Sequence, residues 1–314
     1  MKKFGLIGLA GYIAPRHLKA IKDTGNKLVV ALDKNDSVGV IDSFFPEADF
    51  FTEFERFDRH VDKLRRRGEG LDYMTICSPN YLHDSHIRWA LRSGIEVICE
   101  KPLVLNPWNL DGLAEIEEET GKKVNTILQL RVHPKILEFK RKMANRKEKS
   151  EVELTYITSR GNWYYYSWKG DLVKSGGVAT NIGIHFFDML IWIFGRVEKY
   201  EVHYREPIKK MAGYLELERA RVKWFLSIDG NDLPSSIKEK GQRTYRFLKV
   251  DDEEIEFSAG FTDLHTKVYE EIIKGNGYGI EDVRPSIELV YNLRNGKITG
   301  LNENTHRLAK ERLK

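Results

Sequence analysis

Lys101 and His185 are the two side chains in this sequence whose settings best suit proton transfer. Lys101 follows the apolar run Val-Ile-Cys and Glu100, and it precedes Pro102, which restricts the residue before it to an extended conformation. A lysine held at the dry end of a buried strand can have a lowered pKa and act as an acid or a base. An ordinary surface lysine is the competing interpretation at this stage.

His185 lies in the apolar segment 178–192, which follows a Gly-Gly pair. If this segment is one α-helix, Asn181, His185 and Asp188 are spaced i, i+4 and i+7 and share a face. The two glycines would let the backbone approach a ligand closely. A histidine whose hydrogen bonds are satisfied inside the core is the alternative, whereas a histidine next to a lysine in one site could act with it as a proton-transfer pair.

Residues 8–14 read Gly-Leu-Ala-Gly-Tyr-Ile-Ala, one residue longer than the dinucleotide fingerprint G-x-G-x-x-G/A. Gly8 permits a tight turn, Gly11 lets the backbone approach a diphosphate, and Ala14 is small enough for close helix–strand packing. Asp33 ends the next apolar run, where a carboxylate accepts both ribose hydroxyls of the adenosine and repels a 2′-phosphate. This order of strand, glycine loop, helix, strand and acid predicts NAD binding. Lys34, which follows the acid, could tolerate a 2′-phosphate, so NADP stays an alternative.

The candidate cofactor and proton-transfer residues of the first half can form one site only if the strands that carry them end beside one another. Short apolar runs at 3–8, 28–33, 73–79 and 96–102 alternate with helical patterns, which predicts a doubly wound parallel sheet of the Rossmann type. Ligands on such sheets lie beyond the carboxyl ends of the strands. The predicted cofactor residues at these ends and in the glycine loop are Gly8, Gly11, Tyr12, Ile13, Asp33, Ser78, Asn80, His83, Glu100, Lys101 and Gln129.

The second half of the sequence changes character at about residue 125. Segments from 151 onward alternate apolar and polar residues, which is typical of antiparallel strands with one solvated face, and helical spacing returns from Thr262. We therefore predict an NAD-binding domain over 1–125 and an α+β substrate and oligomerisation domain over 126–314. Its sheet should be open and mostly antiparallel, and its final helix should pack back on the first domain.

Composition limits the remaining classes of function. Of the 314 residues, 41% are hydrophobic, and this share excludes a disordered chain. The net charge is +4, which is smaller than the basic excess of a typical nucleic-acid binder. Cys77 and Cys99 lie in apolar runs and are interpreted as buried hydrophobes, and the spacing shows no metal-binding motif. We expect no membrane-spanning segment, because no apolar run reaches the roughly 18 residues that one needs.

A resemblance to a known family lies in the glycine loop with Asp33 and in three motifs: Ser-Pro-Asn-Tyr-Leu-His (78–83), Glu-Lys-Pro (100–102) and Gly-Gly-Val-Ala-Thr-Asn-Ile-Gly-Ile-His-Phe-Phe-Asp (176–188). Through them the sequence resembles the glucose–fructose oxidoreductase, inositol dehydrogenase and rhizopine catabolism protein family. The likeness covers essentially the whole chain. It implies an NAD-dependent dehydrogenase in which Lys101 and His185 are catalytic. The family often has Asp where this chain has Asn181, which removes a charge.

Within that family, the segments 157–171 and 220–234 are most similar to members that oxidise the 3-hydroxyl of a UDP-linked sugar uronate in lipopolysaccharide O-antigen synthesis. The likeness implies that Trp168 and Lys169 lie near the nicotinamide end of NAD, and that 2-oxoglutarate can reoxidise NADH. A diphosphate and a carboxylate need cations and planar donors. Candidates for substrate binding, besides Lys101 and His185, are Arg131, Arg160, Asn162, Trp163, Lys169, Lys174 and Asn181.

Three other functions stay open on the sequence. The chain could oxidise another sugar or inositol, it could be a glycosidase that uses NAD for transient 3-oxidation, or it could be a non-catalytic NAD(H) sensor. A sensor would need no lysine–histidine pair. A cytoplasmic homo-oligomer, dimer or tetramer, without nucleic-acid or membrane partners is expected.

Overall fold

A computed structural model describes residues 1–146, 148–255, 257 and 263–312, and the chain divides into two compact units. The first unit comprises Met1–Val132 with Thr262–Arg284, and the second comprises His133–Phe261 with Pro285–Lys314. The first change of unit thus lies a few residues after the predicted boundary at 125. The segment that rejoins the first unit is an internal one rather than the end of the chain. Thr262, where helical spacing was predicted to resume, lies outside the described residues.

The first unit contains a six-stranded sheet in the order β3-β2-β1-β4-β5-β6, and every pair of neighbouring strands is parallel. The strands are β1 (Lys3–Ile7), β2 (Lys27–Leu32), β3 (Asp49–Phe51), β4 (Tyr73–Ile76), β5 (Glu96–Cys99) and β6 (Val124–Thr126). This order confirms the predicted doubly wound Rossmann sheet. The three-residue edge strand β3 is too short to have given a periodic signal.

Helices connect these strands as the periodicity predicts. They are α1 (Ala14–Asp23), α2 (Phe54–Arg66), α3 (His83–Arg92) and α4 (Pro107–Thr120). Gly121 caps α4 in the left-handed conformation at φ 65°, as expected of a glycine that ends a helix.

The second unit contains a mixed sheet in the order β12-β11-β7-β10-β9-β8. Its strands are β7 (Ser150–Thr158), β8 (Val197–Glu206), β9 (Lys210–Leu217), β10 (Ala220–Ser227), β11 (Thr244–Val250) and β12 (Glu253–Glu254). All neighbours are antiparallel except β7 and β10, which pair in parallel at the centre of the sheet. The prediction of a mostly antiparallel sheet is confirmed, and this central pair is the exception to it.

The remaining helices are α5 (Pro134–Ala144), α6 (Trp163–Tyr166), α7 (Leu172–Ser175), α8 (Ile184–Phe194), α9 (Ser235–Glu239), α10 (Leu264–Ile273), α11 (Ile280–Asn295) and α12 (Arg307–Arg312). The buried side chains of α10, among them Val268 and Tyr269, pack in the core of the first unit with Phe4 and Leu18. The helix that completes the first unit is therefore α10, whereas α12 belongs to the second unit.

The segment Leu172–Phe194 is long and apolar enough, by length and composition, to cross a membrane, which corrects the expectation that no such segment exists. Within the second unit, 78% of its most apolar window is buried. This burial is what a core helix of a folded domain shows, since its apolar surface is already covered by protein.

Candidate active site

The glycine loop of the first unit follows β1 and is shaped by close backbone contacts. Gly8 has φ +98°, and a Cβ there would lie 2.5 Å from the Ser78 backbone nitrogen. The Gly11 N–H donates to the Gly8 carbonyl oxygen at 3.0 Å, and the Ala14 N–H donates to the Gly11 carbonyl at the start of α1. The additional residue in the loop is thus accommodated by a hydrogen-bonded turn ahead of the helix.

Asp33 lies directly after β2 and connects this strand to the glycine loop. Its Oδ2 accepts the Ala10 N–H at 2.9 Å, and its Oδ1 accepts the Asn35 N–H at 2.9 Å. The side chain is only partly buried, and each carboxylate oxygen has lone pairs left for a further donor. Asp33 therefore fits the predicted role of accepting ribose hydroxyls.

Two further observations fit a bound dinucleotide. Among the described residues, the N–H groups of Tyr12 and Ile13 have no backbone acceptor, and they precede the amino end of α1, where an anion is favoured. The buried Oε1 of Gln129, just beyond β6, has no hydrogen-bond partner within the same described part of the chain. Amide donors for a diphosphate and an unpaired acceptor for a carboxamide are the groups that NAD would need.

His83 joins the ends of β4 and β5. One ring nitrogen lies 2.8 Å from the Ser78 carbonyl oxygen and the other lies 2.8 Å from the Pro102 carbonyl oxygen. Ser78, Asn80 and His83 are all buried. Three of the predicted cofactor residues thus form the packed edge of the sheet after β4, and His83 connects that edge to the segment that contains Lys101.

Glu100 is the centre of a buried network that the sequence did not predict. Its Oε1 accepts hydrogen bonds from the Nε2 of His17 on α1 at 3.0 Å and the Nε2 of His265 on α10 at 2.9 Å. Its Oε2 accepts the backbone N–H of Lys101 at 3.2 Å. The other His17 nitrogen lies 2.8 Å from the hydroxyl of Tyr269. His17, His265 and Tyr269 are therefore the functional candidates that sequence reasoning missed.

The protonation of this network follows from burial and hydrogen bonding. Burial alone would raise the pKa of the Glu100 carboxyl, but the bonds from His17 and His265 outweigh it and hold that pKa well below its ordinary value. Burial lowers the pKa of His17 and raises the pKa of Tyr269 well above its usual range. Glu100 is accordingly a carboxylate beside a neutral His17 imidazole and a protonated phenol.

The two cysteines take no part in a reactive site. Cys77 and Cys99 are free thiols and both are buried. Burial raises the pKa of each thiol well above its ordinary value, which keeps it protonated and unreactive.

Arg131, a predicted substrate ligand, has a structural environment in the first unit. Its guanidinium is 5% exposed, donates to the Asp282 backbone carbonyl at 2.9 Å, and lies 5.0 Å above the Tyr278 ring. These contacts favour a role in packing the segment 262–284 over a role in binding a diphosphate.

In the second unit, the helix that carries His185 is interrupted by a π-helical turn. Ala179–Gly183 is π-helical and α8 begins only at Ile184. The condition of one regular α-helix over 178–192 is therefore not met. Asn181 lies in the π-helical turn, so the α-helical spacing applies to His185 and Asp188 but not to Asn181. Its side-chain amide donates to the hydroxyl of buried Tyr164 at 2.9 Å. Single π-turns recur at functional sites because they redirect side chains locally.

The Gly-Gly pair ahead of this helix approaches protein backbone. Both glycines have positive φ, and a Cβ on Gly177 would lie 2.5 Å from the Pro207 carbonyl oxygen. The same carbonyl accepts the Val178 N–H at 2.7 Å. The close approach predicted for a ligand is thus occupied by the turn between β8 and β9.

The aromatic segment 163–168 of the second unit presents polar and aromatic surfaces together. The Lys169 ammonium lies 4.3 Å from the centre of the Trp168 ring and 5.7 Å from that of Trp163, which is 56% exposed. Lys174 pairs with Asp171 at 3.3 Å. Two other predicted substrate ligands, Arg160 and Asn162, precede this segment and are exposed.

Comparison with protein families gives two matches along the chain. Residues 2–127 match the oxidoreductase family with an NAD-binding Rossmann fold, and residues 149–244 match the C-terminal alpha/beta domain of the same family. Among curated proteins, inositol 2-dehydrogenase of Rhizobium meliloti is 28% identical over 62% of this chain and 55% of its own length. Glucose-6-phosphate 3-dehydrogenase of Bacillus subtilis is 26% identical over 62% and 54%. The chain spans about half the length of these curated relatives.

Solved structures resemble the chain over nearly its full length. The WlbA (WbpB) dehydrogenase of Thermus thermophilus, in complex with NAD and UDP-GlcNAcA, is 53% identical and has a TM-score of 0.95 over 98% of this chain and 99% of that one. The same dehydrogenase was also crystallised with NAD and alpha-ketoglutarate. The WlbA dehydrogenase of Bordetella pertussis is 19% identical with a TM-score of 0.75, which shows a common fold alone.

Proposed function

Because the chain belongs to this oxidoreductase family with an NAD-binding Rossmann fold, we propose that it oxidises the 3-hydroxyl of UDP-N-acetyl-2-amino-2-deoxyglucuronate (UDP-GlcNAcA) to a 3-keto group. The observation that carries the proposal is the 53% identity, over 98% of the chain, to a dehydrogenase crystallised with NAD and UDP-GlcNAcA. The Asp33 carboxylate and the free amides before α1 support NAD as the acceptor.

Asp33 and the amides of the glycine loop would hold NAD, whose nicotinamide ring, when bound, would supply an acceptor for the hydride of the sugar C3. Lys101, or alternatively His185, would receive the proton of the 3-hydroxyl as the hydride leaves. Proton transfer by a positioned side chain contributes about 10²–10⁴-fold to such a reaction. Buried histidines contact Glu100 and Pro102, the two neighbours of Lys101, which supports a main chain that is held in place at Lys101.

The substrate groups are assigned on chemistry. Three cations suit the diphosphate and the uronate carboxylate: Arg160 and Lys174, which are exposed, and Lys169, which is half-buried. The buried Arg131 suits them less. Trp163 and Trp168 offer faces on which sugar or uracil rings can stack. Asn162 is a candidate for the acetamido group, whereas the Asn181 amide already holds Tyr164.

The experiment is NAD reduction by the purified chain, followed at the NADH absorbance band. We expect turnover with UDP-GlcNAcA and little or none with UDP-N-acetylglucosamine, which is neutral at the position of the carboxylate. Equal turnover of both sugars would show that the carboxylate is not recognised. Turnover of myo-inositol but of neither UDP-sugar would identify the chain as an inositol dehydrogenase instead. Release of nitrophenol from nitrophenyl glycosides would indicate a glycosidase.

A second proposal concerns the fate of NADH. A neighbour 54% identical to this chain was crystallised with NAD and alpha-ketoglutarate, which supports reoxidation of NADH by 2-oxoglutarate without its release. We expect multiple turnovers with catalytic NAD when 2-oxoglutarate is present, with 2-hydroxyglutarate formed in equal amount to the 3-keto sugar. A single turnover per NAD under those conditions would contradict this.

We also propose a cytoplasmic homotetramer that supplies a 3-keto nucleotide sugar for lipopolysaccharide O-antigen synthesis. The open, mixed sheet of the second unit supports self-association, because its faces and edges can be covered by another copy. Light scattering after size-exclusion chromatography measures the mass directly. A mass of one chain would overturn the tetramer, and a mass of two would replace it with a dimer.

A further inference from the structure

Both chain neighbours of Lys101 are anchored by buried histidines of the first unit. On one side, His17 and His265 bond the Glu100 carboxylate from helices that are far apart in sequence. On the other side, His83 lies 2.8 Å from the Pro102 carbonyl oxygen. All three histidines are at most 4% exposed. The residues on both sides of Lys101 therefore have little freedom to move.

The donors in the Glu100 network run in one direction. The Thr75 hydroxyl lies 2.8 Å from the Tyr269 hydroxyl, which lies 2.8 Å from the His17 Nδ1. The Glu100 carboxylate can only accept, so the His17 Nε2 that faces it carries a proton. A neutral His17 then accepts at Nδ1 from the Tyr269 hydroxyl, which in turn accepts from Thr75. The tautomer of His17 is therefore set by Glu100 and matched by Tyr269 of α10.

The same three groups are a donor set that could hold a metal ion, since the ligand atoms of His17, Glu100 and His265 lie within 4.8 Å of one another. The distances argue for hydrogen bonds instead. Each Nε2 lies 2.9–3.0 Å from the same carboxylate oxygen, which is the usual N–H···O separation. A metal would have to replace two protons that already have acceptors.

We propose that His17 and His265 are positioning residues that hold the Glu100 carboxylate, whose second oxygen fixes the Lys101 backbone N–H and thereby the direction of the Lys101 amine. The inference rests on the proposed function for the role of Lys101 as the base. It adds that the reaction depends on α1 and α10, neither of which provides a group expected to touch the substrate.

The decisive variants are His265→Leu, which removes the donor, and His265→Gln, whose amide can restore it. With UDP-GlcNAcA and NAD, we expect His265→Leu to lower kcat about ten- to hundredfold. KM and NAD affinity should stay within about threefold of the parent values, because no substrate contact is lost. His265→Gln should recover most of kcat. If His265 only stabilised the fold, its replacement would not lower kcat while leaving KM and NAD affinity nearly unchanged.

His203 supplies the matched control, because it is another buried histidine that bonds a glutamate, Glu201, at 2.9 Å, but in the second unit. His203→Leu should leave kcat unchanged per folded enzyme. The second measurement is amide hydrogen exchange of the segment 99–104 in the protein with NAD alone. We expect faster exchange there in His265→Leu, recovery in His265→Gln, and no change in His203→Leu.

The outcomes separate the two hypotheses. If the parent protein does not reduce NAD with UDP-GlcNAcA, the proposed function falls, and hydrogen exchange still decides whether the network fixes Lys101. If the parent protein is active but His265→Leu and His265→Gln are equally impaired, or exchange in 99–104 does not respond, the positioning role is overturned. Stoichiometric zinc in the purified protein, with activity lost on chelation, would also overturn it in favour of a metal site.

Discussion

Lys101 has no special chemistry of its own, and its suitability as a base depends on its place in the chain. It follows the buried strand β5, and its backbone N–H is bonded by Glu100 while the carbonyl of Pro102 is held by His83. A flexible lysine would have to lose the rotational freedom of its side chain in each turnover. A main chain fixed on both sides places the Cα and Cβ of Lys101, so that only the side-chain torsions are left to be ordered.

Replacing Lys101 with Ala is expected to lower kcat about 10²–10⁴-fold, because the reaction loses its proton acceptor. Although Lys101 is also a predicted cofactor residue, NAD affinity should stay within about threefold of the parent value, because the glycine loop and the Asp33 carboxylate remain. The measurements are steady-state NAD reduction and a fluorescence titration with NADH. Lys27→Ala is the matched control, because Lys27 is an exposed lysine at the amino end of β2. Loss of NADH binding in Lys101→Ala would identify Lys101 as a structural residue instead.

Asp33 is predicted to determine the choice between NAD and NADP. Asp33→Asn keeps an acceptor for the Ala10 N–H but loses the charge that binds ribose hydroxyls and repels a 2′-phosphate. A hydrogen bond to a charged group contributes about 1.5–3 kcal/mol, so NADH affinity should fall about tenfold or more. NADPH affinity should rise. Parallel titrations with the two cofactors test this, and an unchanged ratio of affinities would contradict it.

At the scale of elements, the turn after β1 is predicted to tolerate no side chain at Gly8. Gly8→Ala would combine a left-handed φ with a Cβ 2.5 Å from the Ser78 backbone nitrogen. Gly25→Ala is the control, since Gly25 has φ +71° but no atom within 4 Å of its Cβ position. The control should lose about 1 kcal/mol of unfolding free energy, and Gly8→Ala more than about 2 kcal/mol, together with NADH affinity. Equal losses in urea unfolding would refute the steric explanation.

Local patterns predicted most elements of the first unit because each strand and helix there has a complete signal. Each of these signals is local, because it depends on residues that are close in sequence. Examples are the apolar runs, the glycine turn and the acid after β2. The π-turn Ala179–Gly183 could not be predicted in this way. Its residues have no distinctive composition, and the turn depends on packing, including the bond from Asn181 to Tyr164.

The same distinction applies to the candidate site. Asp33, Ser78 and Lys101 were found because they stand at strand ends. His17 and His265 were missed because their role appears only when α1 and α10 meet at Glu100, and Tyr269 is 252 residues from His17 in the chain. Conversely, Arg131 was predicted as a ligand, and only the fold reveals its partner Asp282.

At the scale of the whole molecule, the chain leaves the first unit, returns to it over 262–284 and leaves again. That return supplies Tyr269 to the core and His265 to Glu100. The Rossmann unit therefore cannot form its complete network until almost the whole chain has been made. A truncation after residue 132 would remove His265, Tyr269 and the cover they provide.

The molecule contains histidines that are neutral when folded, in both units. Burial lowers the pKa of His86 to about 4 and that of His306 to about 3. The Nδ1 of His306 accepts the Leu308 N–H at 3.1 Å, which requires an unprotonated nitrogen. Since an unfolded histidine has a pKa of about 6.5, the unfolded chain binds more protons than the folded one below that pH. Stability is therefore complete above about pH 6.5 and declines as the pH falls toward these folded values.

We accordingly expect the free energy of unfolding to fall between pH 7 and pH 5, by about 2 kcal/mol for each such histidine. Carboxylates contribute little in that interval: Glu201, for example, has its pKa lowered to about 2 by bonds from His203 and Lys199, so its contribution is lost only below about pH 4.5. His306→Asn keeps an acceptor for the Leu308 N–H but cannot titrate. It should reduce the fall by the share of one histidine, as should His86→Gln in the first unit. Urea unfolding at several pH values measures the slope, and a slope unchanged in both variants would mean that these rings are already protonated in the folded protein.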